Sequence, residues 1–253
     1  MKKQVFLMIL IGLLALTNLN AQTAFMSKDE GNGAKLNIGV CFAPTFDWMF
    51  PANEDYQRAG IVTNFRTGLN LNVNLTPKKN FYFSTGVCFE QVGGKMNFHD
   101  NVPIPGITVT ESTNIIRTYR AQYLTIPTAI TLKTNSIHDF YLCGNVGFYN
   151  SLLLKAYNID GYYFSENNNE DAELWSREKQ PSNEVSIFKE SAFAGLGLEY
   201  SVTKNFRTGL YINYAYSLTN YFKGRGMAQN GLTQENLKAK LGYLEIVLNI
   251  NFF

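Results

Sequence analysis

The sequence predicts an all-β fold: an eight-stranded, antiparallel, up-and-down transmembrane β-barrel. Three observations predict it. Apolar and polar residues alternate with a period of two over most of the 253-residue chain. The connections between alternating segments are short and long in turn. Composition is the third sign: 17% charged and 14% aromatic residues, where a soluble domain carries about a quarter charged. Asn, Thr, Tyr and Phe stand in for the missing charge, which argues against a helical bundle or a disordered chain. Formal net charge is +2, and removal of Lys2 and Lys3 would bring it to zero. A nucleic-acid partner is not expected from such a balance.

The chain begins with Lys2-Lys3, an apolar run from Val5 to Leu16, then Thr17-Asn18-Leu19-Asn20-Ala21. This is the layout of an export signal, and cleavage is expected after Ala21. The run is too short for a spanning helix, which needs about 20 apolar residues. No cysteine stands at the cut to carry a lipid anchor. Residues 1–21 are therefore read as signal peptide and residues 22–253 as one barrel domain. Past the signal, no stretch is apolar and long enough for a helix to cross a bilayer, which leaves an exported soluble protein or a barrel.

The strands follow in order. Leu36, Ile38, Val40 and Phe42 alternate with Asn37, Gly39 and Cys41. Phe65, Thr67, Leu69, Leu71, Val73 and Leu75 oppose Arg66, Gly68, Asn70, Asn72 and Asn74. Phe81, Phe83, Thr85, Val87 and Phe89 oppose Tyr82, Ser84, Gly86, Cys88 and Glu90. Leu124, Ile126, Thr128, Ile130 and Leu132 oppose Tyr123, Thr125, Pro127, Ala129 and Thr131. Phe140, Leu142, Val146 and Phe148 oppose Tyr141, Cys143, Asn145 and Gly147. Ala194, Leu196, Leu198 and Tyr200 oppose Phe193, Gly195, Gly197 and Glu199. Leu210, Ile212, Tyr214 and Tyr216 oppose Gly209, Tyr211, Asn213 and Ala215, and the last strand sets Leu244, Ile246, Leu248, Ile250 and Phe252 against Tyr243, Glu245, Val247, Asn249 and Asn251. Side chains alternate faces along a strand, so each segment has an apolar and a polar side.

Short turns are expected at 76–80, 134–139 and 203–205, and long loops at 44–60, 99–113, 158–186 and 223–237. In a meander this gathers the short turns at one end and the long loops at the other, as in outer-membrane barrels. Aromatics cluster near both ends: Phe81-Tyr82-Phe83, Phe140-Tyr141 and Phe206 by the short turns, Tyr149, Tyr216 and Tyr221-Phe222 by the long loops. These are expected to form two girdles at the membrane boundaries.

The segment Gln122-Tyr123-Leu124-Thr125-Ile126-Pro127 resembles the Tyr-Leu-x-Ile-Pro signature of the PorT-like outer-membrane β-barrel family. Gly39 followed by Ala43-Pro44, Thr85-Gly86 after the triplet Phe81-Tyr82-Phe83, and an aromatic chain end are also similar. The resemblance covers essentially the whole mature chain. It implies a bacterial outer-membrane location, with Tyr123, Leu124, Ile126 and Pro127 as the family motif at the start of the fourth strand's membrane part. It also implies roles such as a component of a protein-secretion system. One departure is that the lipid-facing row ends at Phe252, with Phe253 on the other face.

An eight-stranded barrel has an interior that side chains can fill, so a wide porin-like pore is not expected. The polar face carries Arg66, Glu90, Glu199, Arg207 and Glu245. Buried charges need partners, and Arg66 with Glu90 on the next strand is the expected pair. A polar plug is the first reading of this set and an ion path the second. Cys41, Cys88 and Cys143 fall on the inner face; two strand spacings put Cys41 and Cys88 about 10 Å apart, so free thiols are expected. No metal site is predicted, since Cys-x-x-Cys spacing is absent and His99 and His138 lie in connections at opposite ends. No cofactor is implied. No Gly-x-Ser-x-Gly or His-Glu-x-x-His motif occurs, so no catalytic residue is assigned.

Gly93-Gly94 is read as a strand kink. Asn64–Leu69 and Asn205–Leu210 repeat one phrase, but the topology places the copies in opposite strand directions, and we read this as shared strand grammar. The acidic stretch 160–184 is expected to include a helical turn or two at 170–179. It faces a basic fourth loop with Lys223, Arg225, Lys238 and Lys240, as solvated loops or as a partner or cation surface. Expected partners are outer-membrane lipid, the barrel-assembly machinery, and a secretion or surface protein. Three functional readings stand: a non-enzymatic structural, adhesion or secretion-associated barrel; a narrow gated passive channel; and a soluble periplasmic lipocalin-like binder. The last needs an apolar lumen and a polar outer face.

Overall fold

A computed structural model describes residues 36–76, 80–100, 113–163, 173–178, 184–203, 206–223 and 237–252. The export signal at 1–21, the terminal Phe253 and Arg225 lie outside the described residues. Among the described residues ten strands occur in chain order: β1 (Leu36–Pro51), β2 (Gln57–Arg58), β3 (Val62–Asn74), β4 (Phe81–Asp100), β5 (Thr113–Lys133), β6 (Phe140–Tyr163), β7 (Glu173–Glu178), β8 (Phe188–Thr203), β9 (Phe206–Ser217) and β10 (Ala239–Phe252). Eight of them close the barrel in the order β1-β3-β4-β5-β6-β8-β9-β10, each antiparallel to the next, with β10 pairing back onto β1. Closure leaves the barrel wall without an edge, as a bilayer requires.

The expected alternation sets the two faces. Ile38, Val40, Phe42, Leu69, Val87, Leu124, Ile126, Leu142, Leu196, Leu198, Leu210 and Ile212 are exposed on the outside. Their neighbours Asn37, Arg66, Glu90, Thr125, Glu199, Asn213 and Glu245 are buried in the lumen. Water would not tolerate so continuous an apolar exterior, and the polar interior excludes a lipocalin-like ligand cup.

Two short strands were not anticipated. β3 pairs with β4 only as far as Arg66 opposite Glu90, which bares the upper edge of β4. β2 covers part of that edge, pairing Gln57 with Asn97 and Arg58 with Met96. Likewise β8 reaches β6 only at Leu152. β7 takes up the bare edge above it, pairing with Asn158–Tyr163. The helical turn expected within 170–179 is thus replaced by a strand, because β6 offers unpaired backbone groups there.

Several expected loops are also shorter than predicted. β1 continues to Pro51, β4 carries His99 to Asp100 within the strand, and β6 extends to Tyr163. At 20, 21 and 24 residues, β4, β5 and β6 exceed the 9–11 residues a strand needs to cross a bilayer. They rise past the membrane as a wall. A bulge interrupts β5–β6 pairing between Gln122 and Tyr123, with Leu154 as the extra residue. The Tyr123–Pro127 motif therefore begins at the bulge.

At the other end, Ile137 and Phe140 exchange backbone hydrogen bonds of 2.8 and 3.0 Å. His138 and Asp139 between them have φ of 49° and 68°. This is a two-residue hairpin turn with both central residues left-handed, the geometry that matches strand twist.

Outward aromatics do form two belts, although with different members. At the short-turn end Phe140 packs on Tyr200 at 4.8 Å and Phe206 on Phe252 at 5.7 Å. At the long-loop end Trp48 stacks on Tyr214 at 6.1 Å and Phe50 packs on Tyr216 at 5.8 Å. Phe252 pairs with Ile38 on β1, and Trp48 lies ten residues further along that strand. That spacing is one bilayer crossing. Tyr149, Tyr221 and Phe222 are not in the belts: they are buried inside, as is Tyr82.

Candidate functional site: the lumen

Three layers fill the barrel interior. The middle layer centres on Glu245 of β10. Arg66 donates to it from Nη2 at 2.8 Å and from Nε at 3.1 Å. Asn213 donates from its amide at 2.8 Å, and the Tyr149 hydroxyl donates as well. Arg66 also donates to the Tyr149 oxygen at 2.9 Å and lies over its ring, 4.4 Å from the centroid. Tyr149 in turn stacks on Phe193 at 4.1 Å. Beside this group, Glu90 pairs with Lys189 at 3.0 Å and accepts from Thr125 at 2.7 Å and Ser151 at 3.2 Å.

The lower layer, toward the short turns, centres on Glu199. Lys133 reaches it at 2.7 Å, Arg207 at 3.3 Å and the Tyr211 hydroxyl at 2.5 Å. Lys133 also sits 4.4 Å from the Tyr82 ring centroid, and Arg207 lies 4.2 Å from that of Tyr141.

All five charged residues singled out from the sequence thus point into the lumen and are paired. The expected Arg66–Glu90 pair is not among the contacts. The two residues are opposite each other in the β3–β4 register, yet Arg66 pairs with Glu245 on β10 and Glu90 with Lys189 on β8, two and three strands round the ring. In so narrow a ring, inward side chains converge on the axis. A long side chain therefore reaches past its cross-strand neighbour to a strand further round the ring. Lys133 and Lys189 were missed, although strand parity identifies both. Lys133 continues the Tyr123–Thr131 row, and Lys189 precedes Phe193 by four residues.

The upper layer is apolar. Met49, Val92, Met96, Tyr119, Ala121, Tyr123 and Leu241 from the walls pack with Val185, Tyr221, Phe222 and Leu237 from the long loops. The loops are stitched together there: Ser186 N–H donates to Tyr221 C=O at 2.7 Å, and Lys223 N–H to Glu184 C=O at 2.8 Å. Phe222 meets the Tyr119 ring edge-on at 5.1 Å. This cap closes the mouth of the lumen. Asp47, also buried, accepts from Asn64 at 2.7 Å and from the Gly93 N–H at 3.0 Å, which has no β3 partner at that level. β4 stays paired with β5 through Gly93-Gly94. A Cβ on Gly94 would stand 2.6 Å from the Met49 side chain, so the glycine makes room for the cap.

Between the middle and lower layers lies a cavity of about 70 Å³, walled in part by Arg66, Asn70, Ser84, Asn145, Glu199 and Asn213. Among the described residues, no group of three or more His, Cys, Asp or Glu converges as metal ligands would. His138 stands in its turn and His99 in β4, far apart in the strand ladder. The cysteines are free and buried, as expected. The expected separation is not: the Cys41 and Cys88 sulfurs are 3.7 Å apart. Both flank Gly68, which has no side chain to hold them apart.

No curated protein matches the chain. Among solved structures, Neisserial surface protein A (NspA) is similar at 11% identity, over 86% of this chain and 97% of that one, with a TM-score of 0.38. Ail, the attachment invasion locus protein of Yersinia pestis, in complex with the heparin analogue sucrose octasulfate, is 11% identical over 86% and 99%, with a TM-score of 0.34. The outer membrane protease OmpT from Escherichia coli is 11% identical over 86% and 96%, with a TM-score of 0.40. The model of the outer membrane protein beta-barrel domain matches residues 20–223. The chain therefore belongs to the outer membrane protein β-barrel domain family, and its place is the bacterial outer membrane.

Proposed function

We propose that this protein is a sealed, non-enzymatic barrel, PorT-like, with a structural, adhesion or secretion-associated role. It would offer its long-loop end to a secretion or surface protein. The carrying observation is the double closure of the lumen: buried ion pairs Arg66–Glu245, Lys189–Glu90 and Lys133–Glu199 below, and the apolar cap around Tyr221 and Phe222 above. Such packing stabilises a scaffold and obstructs a path for solute. The tall β4–β6 wall supports a role outside the membrane, because residues beyond the crossing length add nothing to insertion. The Tyr123–Pro127 motif supports the PorT-like reading. Insertion would use the barrel-assembly machinery, and the Ile38–Ile212 belt would contact outer-membrane lipid.

The test is solute flux into vesicles carrying the purified protein. Entry of small sugars at the rate of protein-free vesicles is the expected result. Rapid entry would overturn the sealed reading in favour of a narrow gated channel.

A further inference from the structure

We propose that Cys41 and Cys88 form a two-thiolate site for one soft monovalent metal ion of the Cu(I) class. The two residues sit on β1 and β4, each directly opposite Gly68 of the intervening β3. A Cβ on Gly68 would stand 3.0 Å from the Cys88 sulfur. Its absence lets the two thiols lean over the middle strand to 3.7 Å. A disulfide does not close this gap. It needs Cα atoms within about 7 Å, and these two backbones stand two strands apart with β3 between them. A metal ion does close it. Metal–thiolate bonds are about 2.3 Å long, so sulfurs up to about 4.6 Å apart can share one ion.

The donor set selects the metal. Thiolates favour soft ions such as Cu(I). Zinc needs four ligands, and among the described residues no third or fourth His, Cys, Asp or Glu joins this pair. A two-coordinate ion needs none. Binding exchanges protons for metal: two thiols and one M⁺ give a bis-thiolate complex of charge −1 and release two H⁺. The Arg66 guanidinium, with Nη1 3.9 Å from the Cys88 sulfur, offsets that charge. Both thiols line the lumen cavity between the middle and lower layers. No Cys-x-x-Cys spacing announces the pair, because its members are joined by strand register.

The test is anaerobic titration of the reduced, micelle-folded protein with Cu(I) buffered by bicinchoninate. One equivalent should bind tightly and release two protons. Cys41→Ser and Cys88→Ser should each lose the tight site, since the second thiol supplies a local concentration worth roughly 10²–10⁴-fold in affinity. Cys143→Ser should bind as the parent does. Heat-modifiable gel migration checks folding, and if one serine variant does not refold the other carries the reading. Absence of uptake overturns the proposal. So does tight binding that survives either substitution, or loss of binding in Cys143→Ser.

Discussion

Replacing Glu245 with alanine is expected to destabilise the folded barrel by about 3–5 kcal/mol, the cost of removing one partner from a buried ion pair. Glu245 is fully buried and accepts from Arg66, Asn213 and Tyr149 at once. Its loss removes the carboxylate that accepts from both Nε and Nη2 of the Arg66 guanidinium. Stranding that charge, more than losing the attraction, sets the cost. Replacing Arg66 and Glu245 together with leucine and methionine should recover most of the stability, because apolar residues of similar volume pack there without a charge to desolvate. Urea unfolding in lipid vesicles measures both. A Glu245→Ala variant within 1 kcal/mol of the parent would show that water reaches the layer and that the plug is loose.

Leu196→Arg is expected to cost about 2–4 kcal/mol, as for a cation near the bilayer midplane on the lipid face of a barrel. Leu196 is 69% exposed in the middle of β8 and stands beside Ile212 of β9. In water such a site would accept arginine with almost no penalty. In lipid the guanidinium must distort the bilayer or snorkel to its edge. The control is Ile137→Arg, where the side chain is 66% exposed beside the His138-Asp139 turn. There the cost should fall to about 0–1 kcal/mol, as near the interface. Equal costs at the two positions would place both residues in the same medium and contradict the lipid-facing belt.

The eight barrel strands and their two faces were legible because a strand between lipid and a largely polar lumen alternates along most of a crossing. Legibility faded above the crossing. There the outer face meets water and the inner face meets the apolar cap, so the contrast between faces weakens and β1, β4, β5 and β6 seem to end early. That truncation hid Lys189 at the long-loop end of β8, while Lys133 lies just past the clean alternation at the short-turn end of β5. Tyr149 shows a different error. Its distance from the turn suggests a belt, yet its parity with Cys143 and Gly147 points it inward, and parity decides. Sequence also places Arg66 opposite Glu90 correctly but says nothing about partners across the lumen. Those depend on how tightly the ring closes. The Cys41–Cys88 contact was obscured by counting strand spacings without asking what Gly68 leaves empty.

The most direct test of the account compares two tryptophans on one strand. In a background with Trp48 and Trp175 replaced by phenylalanine, Leu196→Trp and Phe193→Trp are each placed in bilayers whose acyl chains are brominated near the midplane. Leu196 is exposed on the outer face and Phe193 is 5% exposed within the lumen. Fluorescence from position 196 should be strongly quenched and that from position 193 little. Equal quenching at both positions, or the reverse order, would contradict a closed barrel with lipid outside and a packed lumen within.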